Sequence, residues 1–367
     1  NMGQSPDSSS YNEKKEGIPF YQGNADFGEK YPITRVWCNT PIKIAQSGDI
    51  LISVRAPIGA LNYAKEECCI GRGLAAITPD KEKMSLEFVY WFLKGKNLEL
   101  NRKGTGSTFK AISRKVLEEI MIPDINLKKQ CEYANVLEKI HAAIQMRKQE
   151  LKHLDFLLKA RFVEMFGDPV ANEMGWDTLP LENACKAIVD CPHSTPSYTK
   201  EDTGFRCIRT SIVKKNRILW DEIEYIPEDE YVKRIQRKKP DVGDIVYTRE
   251  GAILGIAAII DRNCNVALGQ RSMLLSPNID KCASEFLCVA MNSDSFLDNA
   301  LKGVSGSASP HINVGDIKAF RMIMPPIELQ NQFVDFVHQV DKSKVAVQKA
   351  LDETQILFDS LMQKYFG

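Results

Sequence analysis

The chain has 367 residues, of which 48 are Lys or Arg and 48 are Asp or Glu, so its net charge is zero. This length has room for two or three domains, and the composition is that of an ordinary globular protein. No apolar run approaches the roughly 20 residues of a membrane span, and residues 1–7 show no signal-peptide pattern. The ten cysteines form no Cys-x-x-Cys pair, which argues against a zinc module and favours reduced thiols in a cytoplasm.

In chain order, each half of the sequence is predicted to contain short strands with helices appended. The β-prone runs follow a glycine or end at a proline, and a helical spacing of apolar residues comes after them. The predicted strands and helix are residues 49–54, 74–78 and 85–93 in the first half, and residues 244–247, 270–276 and 284–291 in the second. This pattern indicates an α+β domain used twice.

The chain contains one module twice. Phe166-Gly167 closes the first copy, and Phe366-Gly367 closes the second 200 residues later. Ahead of these closures the sequence Gly-Asp-Ile recurs, and so does a proline followed by glutamine, which aligns Gln130 with Gln332. A period this long indicates a duplicated domain rather than a solenoid, so the function should involve two similar but not identical objects.

Two long helices are predicted from apolar residues that step by three and four. The first would run from Leu127 to Phe166 and extend ~60 Å at 1.5 Å per residue. Each helix needs a partner for its apolar stripe, and we expect the two to form an antiparallel coiled coil with pseudo-two-fold symmetry. Polar positions in the stripe would fix the register or lie where another protein covers the stripe; they are Arg147, Arg161, Lys344 and Thr354.

The domain organisation follows from these elements. The second half opens with residues 175–184, which have no counterpart in the first half, so we expect the first domain to lack its opening strand. The predicted segments are a first recognition domain at 1–126, a spacer helix at 127–166, a linker at 167–174, a second recognition domain at 175–328 and a second spacer helix at 329–366.

No catalytic constellation is present in the sequence. It has no phosphate-binding Gly-x-x-x-x-Gly-Lys loop, no Gly-x-Gly-x-x-Gly after a strand, and no Asn-Pro-Pro-aromatic motif for methylating an amino nitrogen. The five histidines are scattered and have no cysteine or carboxylate at ligand spacing. We therefore expect no bound metal and no cofactor.

Instead of catalytic motifs, residues suited to binding recur in both halves. Each half has a Gly/Ser/Thr-rich loop, at 104–113 and 303–313, that suits phosphate oxygens or forms a plain flexible hairpin. Arg55 and Arg249 are predicted at equivalent strand ends, where an arginine can read guanine or hold a core carboxylate. Residues 94–115 and 233–239 are rich in Lys and Arg and form two basic clusters. The candidate DNA-binding residues are Asn24, Arg35, Arg55, Lys103, Ser107, Thr108, Lys110, Arg209, Thr210, Lys214, Lys215, Arg217, Arg249, Ser307, Ser309 and His311.

The Gly-Asp-Ile sequence, the Gly/Ser/Thr-rich loop, the proline followed by glutamine and the closing Phe-Gly occur in this order in both halves. Together they resemble the specificity subunit of Type I restriction-modification systems. The resemblance covers essentially the whole chain apart from the missing opening strand. It implies that each α+β domain recognises one half of a bipartite, asymmetric target in double-stranded DNA. It also implies that the helices set the spacing and dock two adenine-methylating modification subunits, with restriction and translocase subunits outside them, while the chain itself is non-catalytic.

Two other functions remain open from the residues. A self-sufficient methyltransferase or nuclease would need cofactor or metal motifs that the sequence lacks. A protein-interaction scaffold with two binding heads on a coiled coil, and no DNA, is compatible with the neutral net charge, although the basic loops argue against it.

Overall fold

A computed structural model describes residues 1–106, 110–302, 304 and 310–367. The chain divides into two compact units: unit 1 comprises Asn1–Lys148 and Lys349–Gly367, and unit 2 comprises Gln149–Gln348. Each unit is a mixed α+β body with strands first and helices after them, as the sequence predicts.

Unit 1 begins with strands that form two sheets. The larger sheet has the strand order β1-β3-β2-β7-β4, and the smaller has the order β6-β5-β8. The elements are β1 (Tyr11–Asn12), β2 (Ile18–Tyr21), β3 (Val36–Cys38), β4 (Ile44–Ala45), β5 (Ile50–Ser53), β6 (Leu61–Tyr63), β7 (Cys68–Ile70), β8 (Leu74–Ile77), α1 (Leu86–Gly95), α2 (Asn97–Lys103), α3 (Arg114–Glu118) and α4 (Leu127–Phe166), the last of which continues into unit 2.

Unit 2 contains the longer set of elements. Its sheets have the orders β10-β18-β15-β16 and β14-β11-β17, with the two-stranded pairs β12-β13 and β19-β9. The elements are β9 (Thr178–Pro180), α5 (Leu181–Ala184), β10 (Cys185–Asp190), β11 (Arg206–Ile208), β12 (Val213–Lys214), β13 (Arg217–Ile218), β14 (Glu224–Tyr225), α6 (Glu228–Arg234), β15 (Ile245–Thr248), β16 (Ala257–Ile259), β17 (Val266–Leu268), β18 (Ser272–Pro277), α7 (Ser284–Met291), α8 (Asp294–Leu301), α9 (Val314–Ala319), β19 (Arg321–Ile323) and α10 (Ile327–Phe366), which ends in unit 1.

The opening strand of the second half is β9, which pairs antiparallel with β19. In the described part of unit 1, residues 121–123, which correspond to β19, form no strand. The two halves therefore differ at this edge.

A buried glutamine joins each long helix to the preceding domain. In unit 1 the Gln130 side chain accepts from the Ser85 amide at 2.9 Å and donates to the Lys83 and Ile125 carbonyls at 3.0 and 2.8 Å. In unit 2 Gln330 accepts from Ala283 at 2.9 Å and donates to the carbonyls of Lys281 and Pro325 at 3.1 and 2.8 Å. Gln330 is thus the counterpart of Gln130, and the sequence alignment of Gln130 with Gln332 was wrong by two residues.

The core of each unit is built on an aromatic helix. In unit 1, Ser85 caps α1, and Phe88 and Phe92 of α1 lie 5.3 and 5.8 Å from the ring of Phe366. In unit 2, Phe286 of α7 lies 4.8 Å from Phe166, centroid to centroid. Both cores thus place a domain helix against the last turn of a long helix.

The long helices contact each other within each unit. In unit 1, Tyr133 stacks on Tyr365 with ring centroids 3.8 Å apart, and Arg147 donates to the Ala350 carbonyl at 2.9 Å and to the Thr354 hydroxyl. In unit 2, the ring of Phe333 lies 5.5 Å from both Phe162 and Phe166, and Lys344 pairs with Asp155 at 2.8 Å. Three of the four polar stripe residues therefore bond across the helix pair, whereas Arg161 pairs with Glu164 on its own helix.

Candidate nucleic-acid interface

The sheet ends of the two units can be aligned by strand register. In unit 1, Ser53 lies opposite Leu74, and the Ile112 amide donates to the Val54 carbonyl at 2.9 Å. In unit 2, Thr248 lies opposite Ser272, and the Ile312 amide donates to the Arg249 carbonyl at 2.9 Å. Arg249 therefore corresponds to Val54, and the prediction that Arg55 and Arg249 are equivalent is wrong by one residue.

Arg249 holds a core carboxylate. Its guanidinium binds Asp190 through two bonds, Nε to Oδ1 at 2.9 Å and Nη2 to Oδ2 at 3.2 Å. The Arg249 side chain is only 8% exposed, so it cannot reach a DNA base without leaving this pair. Of the two roles that the sequence leaves open for Arg249, the structure places it in the internal one.

The same location in unit 1 is apolar. Asp190 lies opposite Met273 on β18, and in unit 1 Met2 lies opposite the equivalent Ala75 on β8. Met2 and Val54 belong to one apolar cluster. Because the acid and the arginine are both replaced, neither unit has an unpaired buried charge here.

Arg55 takes the position that Glu250 has in unit 2. It forms a β-bridge with Ala111, as Glu250 does with His311. The Arg55 side chain is exposed and makes no hydrogen bond or ion pair with the described residues of its unit. The Ala56 amide binds the Lys110 carbonyl at 3.0 Å, so Arg55 and the exposed Lys110 lie on adjacent backbone.

Lys103 is committed to a neighbouring acid. Its ammonium lies 2.8 Å from Glu99 on helix α2, and this bond raises the pKa of Lys103. The Thr105 amide and the Ala111 carbonyl then close the loop that follows, at 3.0 Å. The structure therefore brings together Arg55, Lys103 and Lys110 at one loop, with Arg55 and Lys110 more available than Lys103.

The unit 2 candidates lie at the end of β11 and along the hairpin β12–β13. Arg209 pairs with Glu224 at 3.1 Å and stacks over Tyr198 at 5.2 Å. Lys214 and Arg217 lie opposite each other in the hairpin, where Lys214 donates to the Ser211 carbonyl at 2.8 Å. Thr210 begins the short helical turn that precedes the hairpin.

Lys215 binds Asp294 on helix α8 at 2.9 Å, and this bond lowers the pKa of Asp294. Arg217 is exposed and has no side-chain hydrogen bond or ion pair among the described residues. The hairpin therefore offers Arg217 to a partner, while Lys214 and Lys215 are held by their own unit.

The remaining candidates are dispersed. Asn24 begins a helical turn and Arg35 is exposed, donating weakly to the Ala25 carbonyl at 3.4 Å in the same loop. His311 lies beside Glu250. Four candidates lie outside the described residues: Ser107, Thr108, Ser307 and Ser309.

The two basic clusters are largely neutralised by their own helices. Within residues 94–115, the bases that pair with acids one turn away are Lys96, Lys103, Arg114 and Lys115. Lys94 instead lies 4.8 Å over the Trp91 ring, and Arg102 and Lys110 have no ion pair with a described residue. Within residues 233–239, Arg234 is buried and binds Glu230 at 2.7 Å. Further pairs in this second cluster are Lys233–Asp229 and Lys238–Asp244. High local charge in the sequence therefore overstates the free positive surface.

Three polar residues that the sequence did not single out lie beside these candidates: Gln22, Arg72 and Gln270. Arg72 is exposed in the turn after β7, and Gln270 is half-buried in the corresponding turn after β17. Both follow a glycine, Gly71 and Gly269, and this repeated glycine was the only signal available in the sequence.

The described residues contain no group of three or more His, Cys, Asp or Glu side chains positioned to hold a metal ion. Within the same residues, no helix combines the length and the apolarity needed to cross a membrane. All ten cysteines are free thiols, and burial raises the pKa of several, that of Cys68 to about 12.

Comparison with known proteins gives one consistent result. The family profile described as the Type I restriction modification DNA specificity domain matches residues 1–155 and again 175–354. The specificity subunit of the type I restriction enzyme EcoBI from Escherichia coli is 21% identical over 98% of this chain and 81% of its own length. A crystal structure of the S subunit from M. genitalium aligns over 100% of this chain and 93% of its own, with a TM-score of 0.58 and 16% identity, and so shares the fold.

A stronger but shorter similarity exists to the putative MjaX specificity subunit of Methanocaldococcus jannaschii. It is 45% identical over 154 residues, which span 42% of this chain and 36% of that relative. The chain belongs to the Type I restriction-modification DNA specificity family, and the resemblance found in the sequence is confirmed.

Proposed function

We propose that this chain is the non-catalytic, DNA-reading subunit of a Type I restriction-modification complex and recognises a bipartite, asymmetric target. The observation that carries the proposal is the doubled match to the specificity-domain profile, at 1–155 and 175–354. In this proposal residues 1–126 and 175–328 are the recognition domains, residues 127–166 and 329–366 are the spacers, and 167–174 is the linker. The complex would work in the cytoplasm, where the free thiols stay reduced.

The proposed DNA-facing surface is centred on side chains that are not used inside their own units. Arg55 and Lys110 in unit 1 and Arg217 in unit 2 are exposed, and no ion pair with a described residue holds them. Exposed cations of this kind neutralise phosphates and release counterions. Lys103, Lys214 and Lys215 would contribute to the local positive field while bonded to their neighbours.

The spacer is proposed to be an antiparallel coiled coil of α4 and α10. Supporting this, unit 1 contains the start of α4 and the end of α10, where Tyr133 stacks on Tyr365. Unit 2 contains the end of α4 and the start of α10, where Phe162 packs on Phe333. Polar pairs such as Lys344–Asp155 would fix the register. A spacer of constant length would hold two half-sites at a fixed separation.

Two methyltransferase subunits are the proposed partners of this spacer, with restriction and translocase subunits outside them. Each long helix exposes an apolar pair at the same position of the repeat. Phe156 and Leu157 on α4 are 70% and 47% exposed, and Ile356 and Leu357 on α10 are 69% and 50% exposed. Large exposed apolar side chains mark protein contacts, and two equivalent pairs suit two copies of one partner.

The docking proposal is tested by Phe156→Asp with Leu157→Asp, and separately by Ile356→Asp with Leu357→Asp. Each double variant should lose one of two methyltransferase copies, measured as a change in the mass of the purified complex. Lys152→Asp, at an exposed position of α4, serves as the control. Retention of two copies by both double variants would refute this docking surface.

The DNA-binding proposal is tested by titrating salt against binding of duplex DNA to the chain in complex with its methyltransferase partner. The affinity should fall steeply with salt, and Arg55→Ala with Lys110→Ala should reduce the slope of log K against log salt by about 2. The control removes two charges from α4, Lys128→Ala with Lys152→Ala. A wild-type complex without salt-dependent DNA binding would refute the proposed function.

A further inference from the structure

In the residues that the structure describes, each unit contains one pair of parallel strands, and the ends of the two strands lie side by side. In unit 1 the pair is β2 and β7, with Tyr21 opposite Ile70. In unit 2 the pair is β11 and β17, with Ile208 opposite Leu268. The Gly71 amide donates to the Tyr21 carbonyl and the Gly269 amide to the Ile208 carbonyl, both at 2.8 Å. The two strand ends are therefore built identically.

The residues that follow these strand ends form an arginine–glutamine pair in each unit, in opposite order. After the first strand stands Gln22 in unit 1 and Arg209 in unit 2. After the second strand and its glycine stands Arg72 in unit 1 and Gln270 in unit 2. The strand register makes Gln22 the counterpart of Arg209 and Arg72 the counterpart of Gln270.

The backbone of unit 1 holds this pair together. A Cβ on Gly71 would lie 2.7 Å from Gln22 Oε1, and a Cβ on Gly73 would lie 2.5 Å from the Gln22 carbonyl. The turn around Arg72 therefore packs directly on residue 22. Both side chains line a surface depression of about 420 Å³. Its other walls are Ser5, Tyr11, Phe20, Asp26 and Val36.

Arg72 has no internal role for its charge. Its guanidinium is exposed and forms no hydrogen bond or ion pair with any residue that the structure describes. Gln22 accepts from the Ser5 hydroxyl through Oε1 at 3.1 Å, which orients the amide and leaves its two N–H groups for a partner.

The unit 2 pair is oriented in a similar way. Gln270 Oε1 accepts from the Thr195 hydroxyl at 2.5 Å, so its amide N–H groups point away from that contact. Arg209 is stacked over Tyr198 and paired through Nη1 with Glu224, while its Nε is buried and has no hydrogen-bond partner among the described residues. A Cβ on Gly269 would lie 3.1 Å from the Ile208 carbonyl and 3.7 Å from the Arg209 Cα, so this turn too is held close to the end of its neighbour strand.

We propose that Gln22 with Arg72, and Arg209 with Gln270, are the residues that read base pairs in the two half-sites. Arginine binds guanine through O6 and N7, and glutamine binds adenine through N6 and N7, so this pair of side chains distinguishes bases directly. The opposite order of the pair in equivalent strand ends gives two heads of one fold different preferences. The inference rests on the proposed DNA-reading function and assigns its specificity to four named residues.

The test uses the full chain in complex with its methyltransferase partner, selecting from a duplex DNA library randomised at both half-sites. Arg72→Gln should change the preferred base at one or two positions of a single half-site, with the original base losing roughly 5- to 150-fold in discrimination. Gln270→Arg should change the other half-site only. Arg102→Gln, an equal loss of exposed charge in unit 1, is the control and should weaken binding without changing any preference.

The outcomes separate this inference from the proposed function. A wild-type complex that selects no bipartite motif overturns the proposed function. If the wild-type complex selects a motif, and neither Arg72→Gln nor Gln270→Arg changes that motif, the inference alone is overturned. Thermal unfolding of the two variants should match that of the wild type, because Arg72 is exposed and Gln270 is half-exposed.

Discussion

Units 1 and 2 have the same backbone at their sheet ends, but the side chains there are apolar in unit 1 and charged in unit 2. Unit 2 packs Arg249 against Asp190 in a two-bonded ion pair, and unit 1 packs Val54 near Met2 in an apolar cluster. The backbone bonds around Arg249 and Val54 are the same, with an isoleucine amide donating at 2.9 Å in both. At this position the repeat keeps the backbone geometry, while the arginine and the acid are both replaced by apolar residues.

The largest expected effect comes from breaking the charged pair. Arg249→Ala should destabilise β10 and β15 by about 3–5 kcal/mol, because the half-buried Asp190 carboxylate loses its two-bonded partner and keeps only the contact with His193 at 3.0 Å. Hydrogen exchange at the Tyr247 amide, in the centre of β15, measures this local free energy. An unchanged exchange rate would contradict the structural role of Arg249.

The matched double variant replaces the ion pair of unit 2 with the apolar residues found at the same positions in unit 1. Arg249→Val with Asp190→Met should recover most of the lost stability, to within about 1.5 kcal/mol of the wild type, because both charges are removed together. A double variant no more stable than Arg249→Ala would show that the two sheet ends are not interchangeable.

A smaller and equal effect is expected in both units from the buried glutamines. Gln130→Leu and Gln330→Leu each leave one buried amide and two carbonyls without partners, which costs about 1–3 kcal/mol. Chemical denaturation with probes in each unit measures the loss. Gln149→Leu, at an exposed position of α4, should change stability by less than about 0.5 kcal/mol. Clearly unequal losses for the two buried glutamines would contradict their equivalence.

The smallest effect concerns pH and is confined to unit 1. His141 lies 5.1 Å from the Trp91 ring and 3.5 Å from the Lys94 ammonium. Burial, and then the charge of Lys94, lower the pKa of His141. The unfolded chain binds this proton more readily, so the stability of unit 1 should fall as pH drops below about 6.5. His141→Gln should flatten the dependence in that window, and an unaltered slope would contradict it.

The sequence predicted the repeated scaffold well because residues that recur in both halves have the same structural role in both units. Gly48 and Gly243 both adopt φ of 89°, and the aspartates after them accept backbone amides at 2.8 and 2.9 Å. The same turn therefore appears as the same Gly-Asp sequence in both halves. The bounds of α4, Leu127–Phe166, follow from an apolar spacing that continues without interruption.

The candidate site was harder to predict, for physical reasons. Arg55 and Arg249 look equivalent as letters, but strand register, which sequence does not display, offsets them by one residue. In the sequence the basic clusters appear to be free positive charge. Ion pairs such as Arg234–Glu230 join residues one helical turn apart, so the sequence does not show them as neighbours. Arg72 and Gln270 differ in type, and only the paired strand ends show that they are counterparts.

We propose that two divergent recognition domains on one scaffold read two halves of one DNA target. Mapping methylated adenines in cells that carry the methyltransferase partner, with and without this chain, tests it most directly. Removing the chain should abolish methylation at one two-part motif with a spacer of fixed length. A methylation map that is the same in both cells would contradict it.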